Sequence, residues 1–206
     1  MPRITRGWHD RCYLTDQQSD DLIYLLTSVI AEYKAANVTY WLTSGTLLGY
    51  YRTKDILRHD YDADLAVLYP YGGKYDEKQL IQSLTKKHIS YLSCYNKNGD
   101  RIGVCVFKYK DVTLDIMMYI SYEDHAHGKT RQMLRRFPIV EDGDKMTYIE
   151  MIDYSLQTFP MSMVVPLQYK SFLGMGVNIP NKLEDYLYFH YRTFKYEMPY
   201  KWKCWF

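Results

Sequence analysis

With 206 residues, 47% of them hydrophobic, and a formal net charge of +2 at pH 7, the chain is long enough to bury a core. Its charge is too near neutral for a general nucleic-acid binder. No run reaches membrane-spanning length, and no repeat, low-complexity segment or Pro/Gly-rich linker divides the chain. Cys12, Cys94, Cys105 and Cys204 lack Cys-x-x-Cys spacing, which argues against structural zinc and suggests no disulfide framework. The 23 tyrosines offer flat surfaces with a polar tip, suited to sugars and bases, although most belong to core and surface packing.

Residues 1–14 read as an irregular arm, and Met1-Pro-Arg-Ile-Thr-Arg6 lacks the apolar core of a signal peptide, so a soluble, cytoplasmic chain is expected. Thr15 and Gln18 have capping-box spacing, and Asp20 and Asp21 follow in the first turns, where negative charge suits the helix dipole. Leu22, Leu25, Leu26, Val29, Ile30 and Tyr33 recur at helical spacing. They predict an amphipathic helix over roughly Gln17 to Ala36, packed on a sheet.

An apolar run, Val38 to Leu42, enters a polar turn, Thr43-Ser44-Gly45-Thr46, and a short helical segment, Leu47 to Arg52. Asp60, Asp62 and Asp64 then alternate into the apolar run Leu65 to Leu68. In a strand, residues two apart share a face, so Asp62 and Asp64 project side by side with Asp60 just before them. Carboxylates that close repel one another and are costly to bury unpaired. One reading is an acidic loop entering a strand. The other is an oxygen-only site for a hard divalent cation, Mg²⁺ or Mn²⁺. The preceding turn favours the second, because Ser44, Gly45 and Thr46 can present N–H groups and hydroxyls to a phosphate.

From Tyr40 to Leu65 the chain resembles the LicD/fukutin family of nucleotidyltransferase-fold phosphotransferases. Gly45-Thr46-Leu47-Leu48-Gly49 and Arg52 match that family's signature without a gap, and Asp60, Asp62 and Asp64 fall on its acidic cluster. Arg58-His59 stands where the family usually has Pro-Trp, and Tyr61 where it often has another Asp.

Farther on, Pro70 to Lys74 reads as a turn and Asp76 to His88 as a helix with Leu80, Ile81 and Leu84 inward. Ile89 to Tyr95 is a short strand, Asn96 to Asp100 a turn, and Arg101 to Tyr109 with Val112 to Ile120 a β-hairpin. Asp115 lies inside its second strand, where a charge among apolar neighbours needs a partner. The nucleotidyltransferase fold places a third carboxylate on a strand beside the Asp-x-Asp pair, and Asp115 is the candidate.

Residues 121–150 are polar and mixed. His125 and His127 have no Cys/His cluster beside them and read as solvated, and the basic positions Lys129, Arg131, Arg135 and Arg136 form a charge run. Acceptor specificity is expected in this region. A second resemblance to the LicD tail runs through Val165-Pro166-Leu167, Phe172-Leu-Gly174, Val177-Asn-Ile179-Pro180 and a helix over Lys182 to Phe194. Tyr191-Arg192 takes the place of the family's Tyr-Gly, and an aromatic, basic tail, Tyr200 to Phe206, closes the chain.

These readings predict one α/β (α+β) domain over residues 1–206, a nucleotidyltransferase-like mixed sheet flanked by helices. The resemblance implies that Asp62, Asp64 and Asp115 are catalytic and hold a divalent cation together with Asp60. It also implies that Ser44, Gly45, Thr46, Arg52 and His59 bind the nucleotide. It further implies a CDP-linked donor, such as CDP-choline or a CDP-alditol, and a glycan hydroxyl as acceptor. The alternative is an Asp-x-Asp glycosyltransferase using a UDP- or GDP-sugar. A non-catalytic binding module is disfavoured, since it has no need of repelling carboxylates.

Overall fold

The computed structural model describes residues 13–69, 77–95, 101–125, 128–136 and 158–195, with the backbone alone at 93–95 and 101–103. The expected arm before residue 13, the turns at 70–74 and 96–100, His127 and the tail from residue 200 lie outside them.

The first helix, α1 (Asp16–Ala35), forms where its periodicity predicts. Thr15 caps it: its hydroxyl accepts from the Gln18 N–H, while the Gln18 side chain accepts from the Thr15 N–H. The predicted apolar stripe is buried throughout, with Leu22, Leu25, Leu26 and Val29 at 0% exposure. Each such side chain contributes about 1.5–3 kcal/mol of burial. Asp21 joins this buried face because Lys110 donates to its carboxylate at 2.7 Å.

The stripe of α1 packs across a mixed sheet of seven strands. After β1 (Tyr40–Leu42) and α2 (Ser44–Arg52) come β2 (Asp62–Leu68), α3 (Glu77–Thr85), β3 (Ser90–Tyr95), β4 (Arg101–Tyr109) and β5 (Val112–Asp124). Their spatial order is β1-β2-β5-β4-β3. The β2–β5 pairing is parallel, while β1–β2, β3–β4 and β4–β5 are antiparallel. The sheet face toward α1 carries Ala63, Leu65 and Val67 from β2, and Val112, Leu114, Ile116 and Met118 from β5, all buried. The alternate positions, including Asp62, Asp64 and Asp115, therefore lie on the other face.

One strand and the extension of another arise where the sequence shows only a polar, mixed stretch, and a further short strand follows it. β5 runs on to Asp124, and β6 (Arg131–Arg136) returns antiparallel beside it, followed by β7 (Phe159–Pro160). Of β6 only Leu134 is buried, so its composition carries almost no alternation; cross-strand hydrogen bonding with β5 makes it a strand. A second, two-stranded sheet pairs β8 (Gln168–Phe172) with β9 (Met175–Ile179). Its turn places Leu173 at φ 50° and Gly174 at φ 76°, the left-handed pair a tight hairpin requires. The last helix, α4 (Leu183–His190), is shorter than the expected Lys182 to Phe194; Tyr191 is already extended, at φ −136° and ψ 97°.

The cysteine expectation is corrected. Cys105, on β4, is disulfide-bonded, and its partner lies outside the described side chains. Spacing along the chain does not show which cysteines a folded sheet brings together. Among the described residues, no helix is long and apolar enough to cross a membrane.

Candidate active site

The parallel pairing of β2 with β5 sets Asp64 directly opposite Asp115, and Asp62 opposite Thr113. Cross-strand partners share a face, so Asp62, Asp64 and Asp115 project from one patch of the sheet. Asp60 enters from the preceding turn, where its N–H bonds to the Leu57 carbonyl at 2.9 Å. Four carboxylates that the sequence spreads over residues 60–115 thus converge, as the Asp-x-Asp pattern and the strand-borne Asp115 predict.

Facing them is the start of α2. The polar turn expected at Thr43 to Thr46 is instead the helix start: Thr43 is the N-cap, and Ser44, Gly45 and Thr46 form the first turn. Thr46 and Asp64 are tied twice. The Thr46 N–H donates to Asp64 Oδ2 at 3.3 Å, and Thr46 Oγ1 accepts from the Asp64 N–H at 2.7 Å. Gly45 is required for space. A Cβ there would collide with Asp60 Oδ2 and lie 3.2 Å from Asp64 Oδ2. The Asp60 and Asp64 carboxylates therefore rest over the Gly45 Cα, against the helix's positive end.

The cluster is electrostatically loaded. Asp64 is 6% exposed. Burial first, then the neighbouring charges of Asp62, Asp60 and Asp115, push its carboxyl well above the usual range, against the opposing Thr46 hydrogen bond. Burial and the Asp62 charge also raise Asp115, and Arg136 pulls it down. This buried, oxygen-only excess of negative charge fits a hard divalent cation in charge and donor type. No group of three or more His, Cys, Asp or Glu among the described residues is arranged to hold a metal ion. The acids offer its charge and chemistry without a finished coordination shell.

The other expected residues are distributed around this centre. Ser44 faces the sheet, its Oγ 3.8 Å from Met117 Sδ, on the strand that carries Asp115. Arg52 sits at the far end of α2, where its Nε donates to the Phe194 carbonyl at 2.9 Å. It anchors the C-terminal segment, and the helix separates it from the acids. His59 lies in the turn beside Asp60.

Three further residues reach the site that the sequence did not assign to it, although Arg136 belongs to the basic run. Arg136 arrives on the unexpected strand β6, opposite Tyr119. Tyr186, on α4, has a fully buried hydroxyl bonded to Thr43 Oγ1 at 2.7 Å and to Trp41 Nε1 at 3.2 Å; burial pushes its pKa up to about 12. Tyr191, one residue past α4, is raised strongly in pKa by burial, then by the charges of Asp64 and Asp60. The hints were that basic run and the position of Tyr191-Arg192 where the family tail has Tyr-Gly.

A strand pair bearing acids over a helix start is the core of a nucleotidyltransferase-type domain. Residues 37–182 match the family described as LicD/FKTN/FKRP, nucleotidyltransferase domain, and the chain belongs to that family. It is similar to the ribitol-5-phosphate transferase FKTN of Mus musculus, with 25% identity over 191 residues. The match covers 89% of this chain and 36% of that protein, so the chain spans about a third of the relative's length. Among solved structures, the antibiotic-resistance factor ANT(2'')-Ia in solution aligns at 14% identity and TM-score 0.43, covering 88% of this chain and 78% of the other. The crystal structure of ANT(2")-Ia with adenylyl-2"-tobramycin aligns at 13% and 0.44, covering 90% and 82%.

Proposed function

We propose that this chain is a transferase domain that moves a phosphorylated group, of the phosphocholine or phospho-alditol type, from a CDP-linked donor to a glycan hydroxyl, with a divalent cation, Mg²⁺ or Mn²⁺. The observation that carries this reading is the register that places Asp64 opposite Asp115, with Asp62 on the same face. Family membership and the similarity to a ribitol-5-phosphate transferase support the reaction class.

Phosphoryl transfer asks a protein mainly for positioning and charge neutralisation. A cation held by Asp62 and Asp64, with Asp60 or Asp115 completing the shell, would neutralise the donor diphosphate. Ser44 and Gly45, at the positive end of α2, orient a phosphate through N–H groups and the Ser44 hydroxyl. Asp115 accepts the acceptor's proton, a role its raised pKa suits. The acceptor oxygen bonds to the phosphorus of the transferred group. The bridging P–O bond breaks, and CMP leaves with the electron pair. His59, in the turn beside Asp60, steadies the donor at the rim of this centre, whereas Arg52, held by the Phe194 carbonyl at the far end of α2, is a nucleotide contact only if the donor extends that far.

The test is a thermal-shift panel of CDP-, UDP- and GDP-linked donors, each with Mn²⁺, with Mg²⁺ and with chelator. Metal-dependent stabilisation by a CDP compound supports the reading. Stabilisation only by a UDP- or GDP-sugar transfers the same acids to a glycosyltransferase. No metal-dependent shift with any donor removes the enzyme reading and leaves a binding module.

A further inference from the structure

The carboxylates stand at the border of an open half of the sheet. On the back, α1 buries Cys105 and Phe107 of β4 together with Leu114 and Ile116 of β5. On the front, α2 lies over β2, and α4 packs on α2. The cross-strand register carries the acid face onward into β4: Val106 is opposite Asp115, Val104 opposite Met117, and Lys108 opposite Thr113. Ser90 of β3 continues the last row, opposite Lys108. Partners across a ladder share a face, so these side chains stand on the same side as the acids. Val104, Val106 and Thr113 are half-buried, and Lys108 and Ser90 are exposed. Strands lie about 4.8 Å apart, so Val106 is one strand spacing from Asp115 and Lys108 two from Asp62. Transfer to a hydroxyl puts the attacking and leaving oxygens roughly in line through the phosphorus. The donor phosphates belong to the α2 side, at Ser44 and Gly45. A hydroxyl delivered to Asp115 therefore comes from the β4 side.

We propose that the front of β4 is the acceptor subsite: a sugar ring rests its C–H face on Val106 and Val104, with its hydroxyls toward Lys108, Thr113 and Ser90 and the reacting one at Asp115. Apolar side chains with a few convergent polar groups are the surface such a ring fits, since it carries both kinds of face. This adds β4 to the stretch after residue 121 in which acceptor specificity is expected. The place of the reacting hydroxyl rests on the donor-site reading above.

The experiment is saturation-transfer NMR of the full chain with Mg²⁺, using the methyl glycosides of glucose, galactose, mannose, N-acetylglucosamine and N-acetylgalactosamine as probes. Titration gives a Kd for each glycoside, calorimetry the affinity for CDP with Mn²⁺, and a melt the Tm. At least one glycoside is expected to bind, with saturation strongest on its ring C–H protons. K108A is expected to weaken it about tenfold, the factor a hydrogen bond of ~1.4 kcal/mol carries. V106A, which trims the apolar floor, is expected to weaken it as well, and both variants are expected to keep the wild-type affinity for CDP. Tm identifies a variant that is not folded, in which case the other decides. No glycoside binding by wild type, unchanged glycoside binding by the variants, or parallel loss of glycoside and CDP overturns the assignment. A D62N/D64N protein separates the two readings. Loss of CDP with glycoside binding kept supports two adjoining subsites. If it binds CDP as wild type does, or if wild type binds none, the donor-site reading falls, and the glycoside titrations of K108A and V106A still decide whether β4 holds a sugar.

Discussion

Thr46 and Asp64 hold each other by both backbone and side chain: the N–H of each donates to the side-chain oxygen of the other, at 3.3 and 2.7 Å. One residue thus belongs to the first turn of α2 and the other to β2, and the pair locks helix start to acid strand. Both are nearly inaccessible, at 5% and 6% exposure, so water cannot replace either bond.

Replacing Thr46 with Val keeps the volume and removes the Oγ1 acceptor. The Asp64 N–H is then buried without a partner, which costs about 1–3 kcal/mol. Urea unfolding is expected to show that loss, with donor affinity falling as well because the Asp64 carboxylate is no longer fixed.

Gly45 and Gly49 lie on the same helix and are expected to fail differently. At Gly49 an added Cβ meets the Asp55 carbonyl at 2.5 Å and the Leu57 N at 3.2 Å, backbone that cannot swing away. G49A should lose about 1–3 kcal/mol of stability. At Gly45 the obstacles are carboxylate tips of Asp60 and Asp64. G45A should fold with a Tm near wild type, helped by up to ~1 kcal/mol of helix propensity, yet lose metal-dependent donor binding. A G45A protein that binds donor normally would show that these carboxylates need not rest there.

The raised carboxyls predict the pH response. Asp64 and Asp115 hold their protons more tightly folded than unfolded. The associated stability is present below the ordinary value of 3.8 and drains as pH rises through the higher folded values. In chelator, this contribution to wild-type Tm should fall as pH rises above the ordinary carboxyl value of 3.8. D64N should flatten that slope and melt higher than wild type at pH 7, by a few degrees for each ~1 kcal/mol of repulsion relieved. Saturating Mn²⁺ should raise the wild-type Tm at pH 7 and leave D64N nearly unmoved.

Asp115→Asn separates chemistry from binding. Loss of a proton acceptor typically lowers turnover ~10²–10⁴-fold. Donor affinity should weaken only modestly, and circular dichroism should be unchanged. Full activity in this variant removes Asp115 from the proton-transfer role.

Tyr186→Phe tests the tie between α4 and the β1–α2 junction. It leaves the Thr43 hydroxyl and the Trp41 N–H without their buried partner, at about 1–3 kcal/mol. Chemical denaturation should report that loss, with the metal response intact, since Tyr186 touches the N-cap of α2 and not the acids.

The local pieces of this protein were legible in its sequence because local periodicity writes them there. The 3.6-residue stripe and the Thr15–Gln18 box defined α1, and the two-residue alternation put Asp62 and Asp64 on one face of β2. The run Gly45 to Gly49 with Arg52 carried the family. Tertiary structure decided what those pieces do together. The parallel register of β2 and β5 placed Asp115 opposite Asp64, a one-residue choice that period two alone cannot make. Strand β6 appeared because β5 offered an unpaired edge, and it brought Arg136 toward Asp115. Arg52 turned toward the Phe194 carbonyl, while Tyr186 reached Thr43 from the far end of the chain. Such contacts depend on how elements distant in sequence pack and hydrogen-bond, and no short window of residues encodes them.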